Sequence, residues 1–178
     1  MPAIEIRPAF STDIPELIKL DHNYVTDHVW QMAFQNSDGQ TQVTFREARL
    51  PRRIQVSYPY SPAALADTWT QRELLLVAES QQGLVGYMGL KGGITPRGAW
   101  IRDLVVDQRY RQKGIGSALM LSSEDWCENN GITHLTLELQ SKNYPAIQFA
   151  YKLGFDFCGY NDQYYPNQDI ALFFSTYF

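Results

Sequence analysis

A chain of 178 residues with 44% apolar and 19% charged side chains can bury a core without staples, and at 13% aromatic it is not a disordered chain. Its formal net charge of −4 argues against a broad electrostatic grip on nucleic acid. Cys127 and Cys158 make no disulfide framework, and His22, His28 and His134 are scattered with no CxxC or HExxH, so no metal is expected. With no bilayer-length apolar run and no charged-then-apolar leader, the expectation is one cytoplasmic domain, residues 1–178, with no membrane partner.

Along the chain, Ala3–Pro8 alternates apolar and polar residues, a short strand. Ser11 is placed to cap a helix, with Pro15 in its first turn and Ile14, Leu17 and Ile18 on one face. Val29–Gln35 and Gln40–Arg46 flank a turn at Asn36-Ser37-Asp38-Gly39, a hairpin signature. Pro51–Pro62, with three prolines and two tyrosines, reads as an irregular crossing segment, and a second helix runs from Pro62 to about Arg72.

From Leu74 the pattern is that of a sheet. Strands are expected at Leu74–Ser80, Leu84–Lys91, Ala99–Val106, His134–Gln140, Phe155–Tyr160 and Ile170–Tyr177. Helices are expected at Gly114–Asn130 and Pro145–Leu153, each stopped by a glycine. Strands interleaved with helices imply an α/β or α+β fold around one mixed sheet.

The most informative stretch is Arg111-Gln112-Lys113-Gly114-Ile115-Gly116-Ser117, a short basic loop between a strand and a helix. Glycines without Cβ atoms let backbone N–H groups close on a bulky anion, and the helix start adds free donors and a positive dipole end. Arg109, Arg111 and Lys113 add charge. The loop is neither GxGxxG, since Leu119 stands at the third glycine position, nor a P-loop. Two turn glycines at an ordinary helix start would read the same way.

This loop resembles the acetyl-CoA motif of the GCN5-related N-acetyltransferase superfamily, Arg/Gln-x-x-Gly-x-Gly/Ala. Asn143 through Leu153-Gly154-Phe155 is similar to the family's second half-motif, in the right order and at a usual distance. The resemblance is specific from about Leu74 to Phe178. It implies a mixed, largely antiparallel sheet splayed at its centre, with helices on both faces. The hairpin and crossing segment at 29–60 are an addition to the minimal fold.

The resemblance implies acetyl-CoA as co-substrate, without a metal, and direct attack by an amine through a ternary complex. The implied coenzyme contacts are backbone at Leu104, Val105 and Val106, the loop Arg111, Gln112, Lys113, Gly114, Ile115, Gly116 and Ser117, and Asn143, which can equally be a helix N-cap. A Val106 N–H would hold the oxyanion. Glu138 is the candidate base, against the alternative of a polar residue on a half-exposed strand face; Glu79, Asp103 and His134 are weaker. The family's acid tyrosine falls at Ala150. Tyr151 is one residue late, about 100° around a helix, and is a doubtful acid.

Tyr164 and Tyr165 stand where some N-terminal acetyltransferases grip substrate, although aromatic packing of a turn explains them equally. The stretches around Glu138 and Asn143 also resemble streptothricin-type acetyltransferases. A small-molecule or peptide amine is therefore the expected acceptor, and a homodimer contact is one use open to the hairpin and Arg52-Arg53. A coenzyme-A-binding regulatory module without turnover is the alternative, favoured by Ala150.

Overall fold

The computed structural model describes residues 4–93 and 95–177. Nine strands are defined among them: β1 (Ile4–Pro8), β2 (Tyr24–Ser37), β3 (Gln40–Val56), β4 (Leu74–Ser80), β5 (Gly83–Gly92), β6 (Gly98–Val106), β7 (His134–Gln140), β8 (Asp156–Asn161) and β9 (Ala171–Tyr177). The helices are α1 (Ile14–Leu17), α2 (Leu65–Thr68), α3 (Ile115–Asn129) and α4 (Tyr144–Lys152). Seven strands form one sheet in the order β1-β4-β5-β6-β7-β9-β8, antiparallel everywhere except β6–β7, while β2 and β3 pair only with each other.

Both faces of the sheet are covered, which is why Leu74–Ala78 is an unbroken buried run rather than an alternating one. On one face α3 and α4 bury Leu119, Met120, Ile147 and Ala150 against Leu90, Ile101, Leu135 and Leu137. On the other, α1 and α2 bury Ile14, Leu17 and Leu65 against Leu75, Val77, Tyr87 and Val105. The mixed sheet with helices on both faces is the architecture the sequence implied.

The sheet splits where β6 meets β7. Their parallel ladder runs only from Gly98↔His134 to Ile101↔Leu137. At that point β6 also carries a bulge: Leu90 pairs with Ile101 and Gly89 with Asp103, leaving Arg102 extra. Ile101 therefore joins the α3–α4 core, while Arg102 and Asp103 in succession meet partners on the opposite face, Tyr60 and Tyr58.

The N-terminal half departs from expectation. Ser11 is not the cap: the chain enters through a 3-10 turn at Ser11–Asp13, and the Asp13 carboxylate accepts the Phe10 N–H at 2.8 Å. The second helix is a single α-turn between two 3-10 turns, Pro62–Ala64 and Trp69–Gln71. The hairpin is far longer than Val29–Arg46. Pro51–Val56 belongs to β3, so the irregular segment begins only after Val56. The Asp38-Gly39 tip has both φ angles positive (50° and 76°), as a tight hairpin turn requires.

Candidate active site

The notch is built from backbone. The Asp107 N–H donates to the Val85 carbonyl at 2.9 Å. Hydrogen-bonded pairs alternate along an antiparallel ladder, so Val105↔Tyr87 is bonded, whereas Leu104↔Met88 and Val106↔Gly86 are not. The N–H and C=O groups of Leu104 and Val106 thus turn away from β5, toward the gap that β7 leaves. Val105 is a correction: its backbone is spent on Tyr87 and its side chain is buried with α1 and α2.

Arg111 is a second correction. Its Nε donates to the Val106 carbonyl at 2.7 Å and its Nη2 to the Asp21 carbonyl at 2.9 Å. The side chain straps the loop to β6 and to the segment after α1, and does not reach for an anion. Burial accordingly lowers its pKa.

The loop itself fits a pyrophosphate. Asp107 caps a 3-10 turn at Gln108–Tyr110 by accepting the Arg109 N–H at 3.1 Å. Gln112 (φ 60°) and Gly114 (φ 83°) are left-handed, and Gly114 is the N-cap of α3. Ala118 makes the first intrahelical bond, to the Gly114 carbonyl, so the N–H groups of Ile115, Gly116 and Ser117 have no helical partner. A Cβ at Gly114 would meet nothing within 4 Å, so the space beside the N-cap is open. Lys113 lies beside the loop, its Nζ donating to the Arg109 carbonyl at 2.9 Å.

On the opposite face, Glu138 is not half-exposed but 7% exposed. Its Oε1 accepts the Tyr60 hydroxyl at 2.6 Å, its Oε2 accepts the Tyr164 hydroxyl at 3.0 Å, and Arg102 Nε lies 3.4 Å from Oε2. Burial first, and Glu138 second, push both tyrosine pKa values up, so the hydroxyls stay protonated donors. Asp103 pairs with Arg72 at 2.6 Å and accepts the Tyr58 hydroxyl at 2.8 Å. A cavity of about 230 Å³ opens here, lined by Tyr58, Tyr60, Arg72, Lys91, Arg102 and Asp103 among others.

The other candidates fall elsewhere. Glu79 pairs with Arg7 next to β1 at 2.7 Å, and His134 stacks on Tyr177. Asn143 is the N-cap of α4, its Oδ1 accepting the Ala146 N–H at 3.2 Å, so only its amide NH2 remains for a ligand. Phe149 faces the loop, 3.3 Å from where a Gly116 Cβ would stand. Tyr151 lies two residues on, about 200° around the helix, packed against Trp30 and Phe174 and 42% exposed. It does not face the notch, and Ala150 is core. Tyr165 is buried behind Tyr60 and Tyr164 rather than presented to a substrate.

Sequence reasoning missed Tyr58, Tyr60, Arg72 and Arg102 as site residues. The only signal was two tyrosines in a proline-rich stretch.

A backbone notch lies beside a loop of free N–H donors, with a polar aromatic cavity across the sheet, an arrangement able to hold an extended ligand with an anionic end. Residues 43–155 match the Acetyltransferase (GNAT) family, and the chain belongs to it. A 65-residue stretch is 40% identical to streptothricin acetyltransferase of Streptomyces lavendulae, covering 36% of this chain and 34% of that one, so the match spans about a third of the relative's length. The crystal structure of nourseothricin acetyltransferase superposes with a TM-score of 0.83 at 25% identity, covering 98% of both chains. A streptothricin acetyltransferase structure from Bacillus anthracis str. Ames, solved with acetyl coenzyme A, shares the fold (TM-score 0.76, 19% identity, 99% of this chain and 98% of that one).

Proposed function

We propose that this protein is an acetyl-CoA-dependent N-acetyltransferase acting on a primary amine of a small molecule or peptide, within a single domain. The observation that carries the reading is the parting of β6 from β7 after Ile101↔Leu137, with three features gathered around it. The α3 N-terminus offers free N–H groups, Leu104 and the Val106 N–H offer strand-edge groups that β5 leaves free, and Glu138 lies just past the point where β6 and β7 separate. Acetyl-CoA would supply an activated acetyl thioester.

The chain's own residues divide the remaining tasks. Ile115, Gly116 and Ser117 N–H groups bind the pyrophosphate, with Lys113 adding charge. Leu104 pairs with the pantetheine arm as an added strand would, and the Asn143 amide contributes from the other wall. The Val106 N–H, which has no partner on β5, is left to donate to an oxygen that gains negative charge. Glu138 accepts one hydroxyl at each oxygen, which leaves lone pairs for an amine N–H. It serves as base, with Tyr60 and Tyr164 orienting it.

The similarity to streptothricin acetyltransferase supports an antibiotic amine as one acceptor. The alternative, a coenzyme-binding module without turnover, draws on the buried Ala150, which places no hydroxyl where the family's acid stands. Thiol release from acetyl-CoA over a mixed amine panel, beside coenzyme A binding by thermal shift, decides between them. Binding without turnover on any amine would overturn the enzyme reading.

A further inference from the structure

The bulge in β6 turns Arg102 and Asp103 in succession to one face and sets two carboxylate–arginine–tyrosine groups side by side. Asp103 meets Arg72 and the Tyr58 hydroxyl, Glu138 meets Arg102 and the Tyr60 hydroxyl, and the two tyrosine rings stand 6.0 Å apart. The groups are not equivalent. Arg72 gives Asp103 Oδ2 both its Nε at 2.8 Å and its Nη2 at 2.6 Å, so that carboxylate is covered by its cation. Arg102 Nε faces Glu138 Oε2 at 3.4 Å without a hydrogen bond, and its Nη2 turns aside to the Tyr60 hydroxyl at 3.0 Å. The Glu138 side chain is only 1% exposed, and burial disfavours a charged carboxylate. Among the described residues Arg102 is its only ion-pair partner. The other polar groups around it, the hydroxyls of Tyr60 and Tyr164 and behind them Tyr165, are kept protonated by burial and bring no charge. Burial works against the Arg102 charge too, but Glu138 and Tyr60 outweigh it and raise its pKa.

We infer that Arg102 is a positioning residue for acetyl transfer: it holds Glu138 charged without covering its lone pairs, which leaves that carboxylate, and not Asp103, open to an acceptor amine. This rests on the acetyltransferase reading and adds a residue to its machinery. A carboxylate has about four acceptor positions. The Tyr60 and Tyr164 hydroxyls take one on each oxygen of Glu138, and a guanidinium bonded as Arg72 is would take more. With Nη2 held by Tyr60, Arg102 acts through its charge and leaves the remaining positions free.

The test is a pH titration by carbon-13 NMR of protein labelled at its glutamate carboxyls, with the Glu138 resonance identified by its loss in Glu138→Gln. In Arg102→Gln, which keeps a donor for Tyr60, the Glu138 midpoint should rise by about one pH unit, the low end of what a neighbouring opposite charge does to a carboxylate. Arg102→Lys, which keeps the charge, should bring it back. In the unaltered protein the nitrogen-15 resonance of Arg102 Nε should follow the same titration, an observation that does not need the Arg102 variants. A midpoint unmoved in Arg102→Gln, one that Arg102→Lys leaves equally high, or an Nε resonance blind to Glu138 would overturn the inference. Thiol release from acetyl-CoA over an amine panel reports separately on the acetyltransferase reading, and the acid limb of its kcat/KM profile should move with the carboxyl midpoint. A moved midpoint without turnover on any amine would sink that reading and leave the hold of Arg102 on Glu138 standing. Turnover that depends on Glu138, with a midpoint indifferent to Arg102, would do the reverse.

Discussion

The Tyr60 hydroxyl donates to Glu138 Oε1 at 2.6 Å, across 78 positions of sequence. The same hydroxyl accepts from Arg102 Nη2 at 3.0 Å, so one side chain orders both the carboxylate and its cation. If Glu138 takes the amine proton, Glu138→Gln should cost about 10²–10⁴-fold in rate near neutral pH. The deficit should narrow at high pH, where more amine arrives uncharged. A deficit that is constant across the pH–rate profile would assign Glu138 a structural role.

Tyr151 packs on Trp30 of the hairpin, so its hydroxyl is expected to take no part in the chemistry. Tyr151→Phe should leave the turnover rate within about twofold, against the 100-fold or more that loss of a general acid costs. Steady-state thiol release measures the difference. A loss near 100-fold with unchanged coenzyme affinity would make Tyr151 the acid.

The two loop glycines should fail differently. Gly114 is left-handed with space around it, so Gly114→Ala should cost about 1–2 kcal/mol in backbone strain. Gly116→Val places a branched side chain against Phe149, whose ring is already 3.3 Å from a first Cβ, and should push α4 off the loop. Coenzyme A titration of the folded variants should show the larger affinity loss for Gly116→Val. Unchanged affinity there would refute the loop's role.

Acid stability should depend on Asp13. The Arg7 guanidinium, bonded to both its oxygens at 2.7 and 3.1 Å, holds its pKa below the ordinary carboxylate value. The stabilisation is therefore complete above about pH 4 and drains away as pH falls through the lowered native value. Asp13→Asn should lose about 1–2 kcal/mol at pH 7, between the worth of an exposed ion pair and that of a charged hydrogen bond. The gap between the two proteins should close as pH falls below the ordinary carboxylate value, as urea unfolding at several pH values would reveal.

The strands from Leu74 onward were legible because most are buried or alternating runs, with glycine turns setting off β4, β5 and β6. The observed limits differ from the expected ones by a residue or so. The hairpin's length was not legible. Most of β2 and β3 is exposed and polar, so no apolar rhythm marks their ends, and Pro51 lies inside β3 at the irregularity where Asp27 faces Leu50–Arg53. The coenzyme loop was local and could be read residue by residue. The acceptor side could not, since Tyr58, Tyr60, Arg72, Arg102 and Glu138 converge only after distant segments fold.

The hairpin takes hold of the sheet on both sides. At its base the Tyr24 hydroxyl donates to Gln140 at 2.9 Å, on the Glu138 side of β7, while six residues further on Trp30 gives its backbone N–H to the Ser141 carbonyl and its ring to Phe174, on the α4 side. A clip of this kind cannot be released from one face alone. The hairpin base and the end of β7 should open as one cooperative unit, with amide protons at both exchanging at a common rate. The chain segment that looks most like an appendage in the sequence thereby becomes the latch on the strand that carries Glu138.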